Sequence, residues 1–218
     1  MLTDIFKDLE AYSTLWLLDF LETKDSKAWA IASKPADAFI LFGAVIKNSG
    51  IKKKLSGIKS YIPFLNDPNL KNATEMAIAS NLAGKAISIS KTTVPHAASY
   101  PFTSLFNISH GHAVSLFFEK FFKFNYDKLN MSETSFDLKK RFDLIFNLFN
   151  VQNINDFNSK ITLIKKQAKL VNDLKTLKID IKKDSDEIIK GINLLRLGNN
   201  PVKILQKDIY KIMIDEKI

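Results

Sequence analysis

The chain has 218 residues, 46% apolar and 25% charged, with a formal net charge of +9 and no cysteine. That length and apolar share allow a real core and exclude a disordered chain. The missing thiols exclude disulfides, cysteine-ligated zinc and thiol catalysis. The basic excess is carried by 30 lysines and only two arginines, Arg141 and Arg196, spread along the chain apart from short runs such as Lys52-Lys53-Lys54. Without arginine's bidentate fork this is a compositional bias and not a nucleic-acid surface. No apolar run reaches the roughly 18 residues of a membrane span. The opening Met1-Leu2-Thr3-Asp4-Ile5 has no basic segment followed by an apolar one, as a secretory leader would. The expectation is a cytoplasmic protein with neither nucleic acid nor membrane as partner.

Residues 1 to 17 read as a short amphipathic lead-in, followed by Leu18-Asp19-Phe20-Leu21-Glu22, a charged patch to Lys27 and an apolar run from Ala28 to Ser33. Pro35 suits a helix start, the apolar pattern runs on towards Ile46, and Asn48-Ser49-Gly50 supplies the residues that close a helix. Residues 51 to 72, with Gly57, Pro63 and Pro68, read as a loop holding one helical turn. From Ala73, the stripe Met76, Ala79, Ala83 and Ile87 predicts a helix with a small-residue face. Thr92, Thr93 and Pro95 break it, His96 opens a second helical pattern, Asn107 to Gly111 is a loop, and helix resumes from Ala113.

The C-terminal hundred residues read as a run of helices. Phe142, Ile145, Phe146 and Phe149 form one apolar stripe, and Ile161, Ile164, Ala168 and Val171 another. Asp184-Ser185-Asp186-Glu187 places acids at the positive end of a helix leading to Ile188, Ile189 and Ile192. Asn199-Asn200-Pro201 breaks the chain before a last short helix from Gln206 to Ile214. No alternating strand, heptad series or repeat is visible. The fold class is therefore all-α, a multi-helix domain without a sheet.

All three histidines, His96, His110 and His112, fall within residues 96–112. A helix of about three turns from His96 followed by a short return can bring His96 and His110 to one point. Neutral imidazole is the commonest metal ligand, and a cysteine-free pair suits Fe(II) or Zn(II). The competing reading is that they are ordinary polar residues at helix ends. There is no G-x-S-x-G elbow, G-x-G-x-x-G or Walker loop to point to another chemistry.

Asn81-Leu82-Ala83-Gly84-Lys85-Ala86-Ile87, Lys91-Thr92-Thr93 with Pro95-His96-Ala97, Ser99-Tyr100-Pro101 and His110-Gly111-His112-Ala113 stand in order along the chain. With Pro68-Asn69-Leu70 before them and Asn193-Leu194-Leu195-Arg196-Leu197 and Asn199-Asn200-Pro201 after, they resemble the C-terminal domain of iron-containing (group III) alcohol dehydrogenases. The resemblance is nearest to the branch with phosphonoacetaldehyde reductases, and covers 68–218 well and 19–46 loosely. It implies the helical, dehydroquinate synthase-like domain that normally follows a nucleotide-binding α/β domain. It also implies a divalent metal, Fe(II) first and Zn(II) second, acting as Lewis acid while hydride passes between the substrate carbon and NAD(P).

Two ligand histidines of the family carry over onto His96 and His110, and His112 takes a supporting place. The family's aspartate ligand carries over onto Asp19, where Leu18-Asp19-Phe20-Leu21 matches the motif's opening, with Asp25 as the alternative register. The partner of the aspartate four residues on is Thr23 or Trp29, neither a useful ligand, and Tyr100 stands where many relatives have another histidine.

The organisation expected is one helical domain over 1–218: a lead-in to 17, the metal-site helices over 18–125 and a helical bundle over 126–218. With some 18 residues before Asp19 the chain is expected to lack the nucleotide-binding domain, as a fragment or split subunit inactive by itself. NAD(P) then binds only if an α/β half, encoded separately, supplies its site. A small alcohol or aldehyde is the implied substrate, and self-association into a homo-oligomer is compatible with the family. The alternative function is a catalytically dead helical interaction module of the same fold.

Overall fold

The structure is a computed structural model that describes residues 62–67, 69–74 and 92–215. Asp19, Asp25, the expected helices before Asn48 and nearly all of the one expected from Ala73 lie outside those residues. The chain divides into two units between Lys91 and Thr92. Of the first, residues 62–66 and 70–74 are helical turns, two where the sequence suggested one. The side chain of Asn69 accepts the backbone N–H of Asn72 at 3.0 Å and so starts the second turn.

In the second unit the described residues form eight helices. These are α1 Val94–Phe106, α2 His110–Leu116, α3 Phe118–Asp127, α4 Leu138–Phe149, α5 Ile154–Gln167, α6 Ser185–Lys190, α7 Leu194–Leu197 and α8 Gln206–Ile214. A 3-10 turn, Leu129–Met131, follows α3. Among the described residues the sole β feature is an isolated bridge between Ser132 and Val202, so the all-α expectation holds.

Local chemistry sets most of the boundaries. Pro95 sits in the first turn of α1, where its missing N–H is no loss. Asn107 and Asn150 close α1 and α4 in the left-handed conformation, at φ 52° and 53°. Asp137 caps α4 by accepting from Lys140 N at 3.0 Å, and Asn153 caps α5 by accepting from Asn155 N at 2.9 Å and Asp156 N at 3.0 Å. Asp186 and Glu187 lie in the first turn of α6 as expected, although Asp184 contributes no side-chain cap.

Two packed clusters share α3. On one side of it, Phe118 and Phe122 stack with ring centroids 5.6 Å apart, and Phe122 meets Phe142 and Phe157 at 4.8 and 4.5 Å. On the other side, Phe117 and Phe121 join Val94, Ala97, Phe102, Ile188, Ile192 and Ile209. The stripe of α4 is buried throughout, from Phe142 to Phe149. The stripe of α5 is buried at Ile161, Ile164 and Ala168, but Val171 lies beyond the helix and is exposed.

One residue of α1 explains how the C-terminal helices dock. Pro101 sits inside the helix, so no N–H at that position can reach the Ala97 carbonyl four residues back. The backbone N–H of Asn193 takes that carbonyl at 3.0 Å. Gly191 makes the approach feasible: a Cβ there would stand 2.8 Å from Pro101 Cβ. Asn193 then caps α7, its side chain accepting from Arg196 N at 3.1 Å, and this fixes where Arg196 starts.

Candidate metal centre

His96 lies in the first turn of α1 and is 6% exposed. His110 is the first residue of α2, so the loop between the helices is only 107–109, shorter than the sequence suggested. Asn107, in the left-handed region, turns the chain tightly enough for α2 to return along α1. The two imidazoles meet with ring centroids 5.4 Å apart and planes at 62°. With metal–nitrogen bonds of about 2.0–2.1 Å, two imidazoles on one tetrahedral ion have centroids about 5 Å apart. The observed 5.4 Å is close to that value, and it is also the spacing of an ordinary edge-to-face ring contact.

Both rings are held neutral, the form that ligates. Burial, then the charge His110 would carry, then Arg196, push His96 down from 6.5 to about 3. Burial and then Arg196 also push His110 below its ordinary value. Ser99, 1% exposed, places its Oγ 2.9 Å from the His96 carbonyl and 3.4 Å from His110 Nδ1. The Tyr100 ring also meets His110, centroids 5.6 Å apart. The Arg196 guanidinium stands 5.7 Å from the centroid of Tyr100 and donates to Thr92 Oγ1 at 2.5 Å.

His112 goes elsewhere. Its Nε2–H donates to the Val171 carbonyl at 2.6 Å, tying the segment after α5 to α2. Among the described residues no group of three or more His, Asp or Glu converges, so the two imidazoles are the donors these residues offer. The donor set, two neutral nitrogens beside a buried wall, fits a divalent ion of intermediate softness such as Fe(II) or Zn(II).

Arg196 and Ser99 have no role that the sequence alone assigns. For Arg196 the available signal is rarity, as one of two arginines among 32 basic residues. Ser99 becomes meaningful only once α2 is known to fold back over α1.

The buried neutral histidine has a measurable consequence. Unfolded His96 gains a proton as pH falls through 6.5, while folded His96 stays neutral to about 3. Across that window the unfolded metal-free chain binds more protons, so stability falls as pH falls, and above 6.5 this contribution is complete. At full effect the slope from this one group is about 1.4 kcal/mol per pH unit. Urea unfolding of the metal-free chain between pH 7 and 4 should show His96→Gln with a correspondingly shallower loss than wild type. Parallel profiles would mean that His96 is not buried neutral.

The described unit is thus a helical domain that presents a histidine pair where α2 folds back on α1. The sequence model of the Fe-containing alcohol dehydrogenase family, C-terminal, matches residues 55–216, and the chain belongs to that family. No curated protein sequence matches it.

Among solved structures it is similar to an archaeal halo-thermophilic Red Sea brine pool alcohol dehydrogenase (TM-score 0.71, 19% identity, covering 89% of this chain and 52% of that one). It is also similar to the sulfoacetaldehyde reductase of Bifidobacterium kashiwanohense in complex with NAD+ (TM-score 0.67, 20% identity, 84% and 49% covered). A third is the alcohol dehydrogenase of Oenococcus oeni (TM-score 0.65, 19% identity, 84% and 51% covered). At these identities the likeness is one of fold, and the chain spans about half the length of these structures. Among the described residues no helix is long and apolar enough to cross a membrane.

Proposed function

We propose that the chain is the metal-binding helical half of an NAD(P)-dependent alcohol dehydrogenase or aldehyde reductase. His96 and His110 supply two ligands to a divalent ion, Fe(II) ahead of Zn(II), and Asp19 is the third by family resemblance. The observation that carries this reading is the convergence of two neutral imidazoles at 5.4 Å in a chain of this family. When bound, such an ion supplies Lewis-acid polarisation of the substrate oxygen. The chain's own part is to hold the ion with preformed nitrogens, exclude water along α1 and set the field around the substrate. A nucleotide-binding α/β half supplies the nicotinamide.

The branch reading, an aldehyde carrying a phosphonate or a related anionic group, draws its support from Arg196. Among the described residues no carboxylate pairs with this guanidinium, which lies over the Tyr100 ring, has donors to spare and acts electrostatically on both histidines. A fixed cation there favours an anionic substrate next to the ion.

Two measurements test the proposal. The chain, purified anaerobically without chelators, should carry a divalent metal. Mixed with its α/β half, it should oxidise NAD(P)H on adding an aldehyde, and it should not do so alone. Absence of metal under those conditions would leave the catalytically dead interaction module as the better reading. In the assembled enzyme, Arg196→Gln should raise KM for a phosphonate- or sulfonate-bearing aldehyde about 10- to 100-fold, the worth of a hydrogen bond to a charged group. KM for a neutral aldehyde of the same length should stay put. Equal effects on both would remove the anion-recognition role.

A further inference from the structure

A histidine that binds a metal does so as the neutral imidazole, with one ring nitrogen carrying hydrogen and the other offering its lone pair. The nitrogen that keeps the hydrogen is chosen by what it faces. His110 Nδ1 faces Ser99 Oγ at 3.4 Å. The Ser99 hydroxyl also lies 2.9 Å from the His96 carbonyl, which can only accept, so its single hydrogen is directed there. Its oxygen is thereby left as an acceptor towards His110. Ser99 is 1% exposed and the residue is held in the middle of α1, so water does not compete for the hydroxyl and the helix fixes its position.

We propose that Ser99 is a positioning residue: through its hydroxyl, the backbone carbonyl of one ligand histidine, His96, sets the tautomer of the other. His110 is kept with hydrogen on Nδ1, which leaves its Nε2 with the lone pair that would hold an ion. The inference rests on the metal-centre reading above, but the tautomer exists without metal and is measured without it.

The residue also couples the two ligands mechanically. Any slide of α2 along α1 that separates the imidazoles also breaks the Ser99–His110 contact, so the serine favours the register in which the two rings lie 5.4 Å apart. Free histidine side chains prefer hydrogen on Nε2, the wrong arrangement for a ligand using that nitrogen. In Ser99→Ala that preference returns, and binding has to offset it.

The experiment uses the full chain, labelled with 15N-histidine, metal-free at pH 8. Long-range 1H–15N correlation should show wild-type His110 with hydrogen on Nδ1 and a bare Nε2, and Ser99→Ala shifted towards the Nε2–H form. Zn2+ titration against a competing chelator should show Ser99→Ala weakened about 10- to 100-fold, the usual cost of losing a group that orients a ligand histidine. Ser99→Thr, which keeps the hydroxyl, should restore both the tautomer and most of the affinity, which a merely structural role would not require. Wild-type His110 found with hydrogen on Nε2 overturns the proposal. So does a Ser99→Ala chain with unchanged Zn2+ affinity. If the wild type binds no Zn2+ at all, the metal-centre reading fails, while the tautomer comparison still decides whether Ser99 controls His110.

Discussion

Replacing His96 and His110 together by alanine should take the chain from about one bound divalent ion to none, with its helical content unchanged. In the proposed site these two rings are the nitrogen donors, and their centroids lie 5.4 Å apart. Each single substitution leaves a lone imidazole with whatever carboxylate joins it, a set too weak to hold Fe(II) or Zn(II) against buffer competition. The double variant is therefore compared with His112→Ala, whose ring is engaged with the Val171 carbonyl and should leave the metal in place. Metal content by elemental analysis, on protein kept reduced and free of chelators, decides the outcome. Metal retained by the double variant would place the ligands elsewhere. Metal lost from His112→Ala would mean that the tether to Val171 holds α2 in its working position. Alanine at position 96 also opens space in a buried wall, so circular dichroism and a thermal melt accompany each variant.

Much of the local structure around the histidines was legible in the sequence, because its signals are local. Pro95 marks the start of α1, Asn107 its end, and the crowding of histidines between residues 96 and 112 marks the candidate site. The aromatic stripe of α4 was legible for the same reason: its period of three and four residues survives intact from Phe142 to Phe149.

What was not legible depends on partners distant in sequence, or on backbone states that the residue type does not favour. The stripe of α5 was read through to Val171, yet the helix stops at Gln167 because Lys169 takes φ 55°, where a lysine gives no hint of a cap. Leu170 N then bonds back to the Lys165 carbonyl at 3.0 Å and closes the end. Lys178, at φ 58°, ends a turn in the same way. Arg196 is brought over Tyr100 by a docking in which Pro101 frees the Ala97 carbonyl for Asn193, a contact spanning 96 residues of chain. The family resemblance supplied what geometry could not: the family match over 55–216 bears it out across the 68–218 stretch and does not extend to 19–46, where Asp19 and Asp25 lie.

The second large effect concerns the aromatic cluster, on the other side of α3 from the histidine pair. Phe157 is 1% exposed and its ring lies 4.5 Å from Phe122, 4.8 Å from Phe149 and 6.2 Å from Phe146. Phe157→Ala removes a full aromatic side chain from between three helices that cannot all move inward. The expected loss is about 3–5 kcal/mol, transfer and cavity costs together. For a chain of this size that corresponds to a melting point lower by roughly 10–15 °C. Denaturant unfolding would give the loss directly.

The more discriminating reading comes from adding Zn2+. His96, Ser99 and Tyr100 stand on α1, which packs with α6 and α7 through Ala97, Phe102, Ile188 and Ile192, on the other side of α3 from Phe157. A ligand that binds only the folded chain raises stability by an increment fixed by its concentration and affinity. If the histidine pair is built by α1 and its neighbours alone, Zn2+ should stabilise Phe157→Ala and wild type by equal increments at a temperature where both are folded. An increment that shrinks in the variant would show that the aromatic cluster holds α3 in the position on which α2 and His110 depend. In that case the phenylalanine-rich bundle is part of what presents the metal ligands and not merely their support.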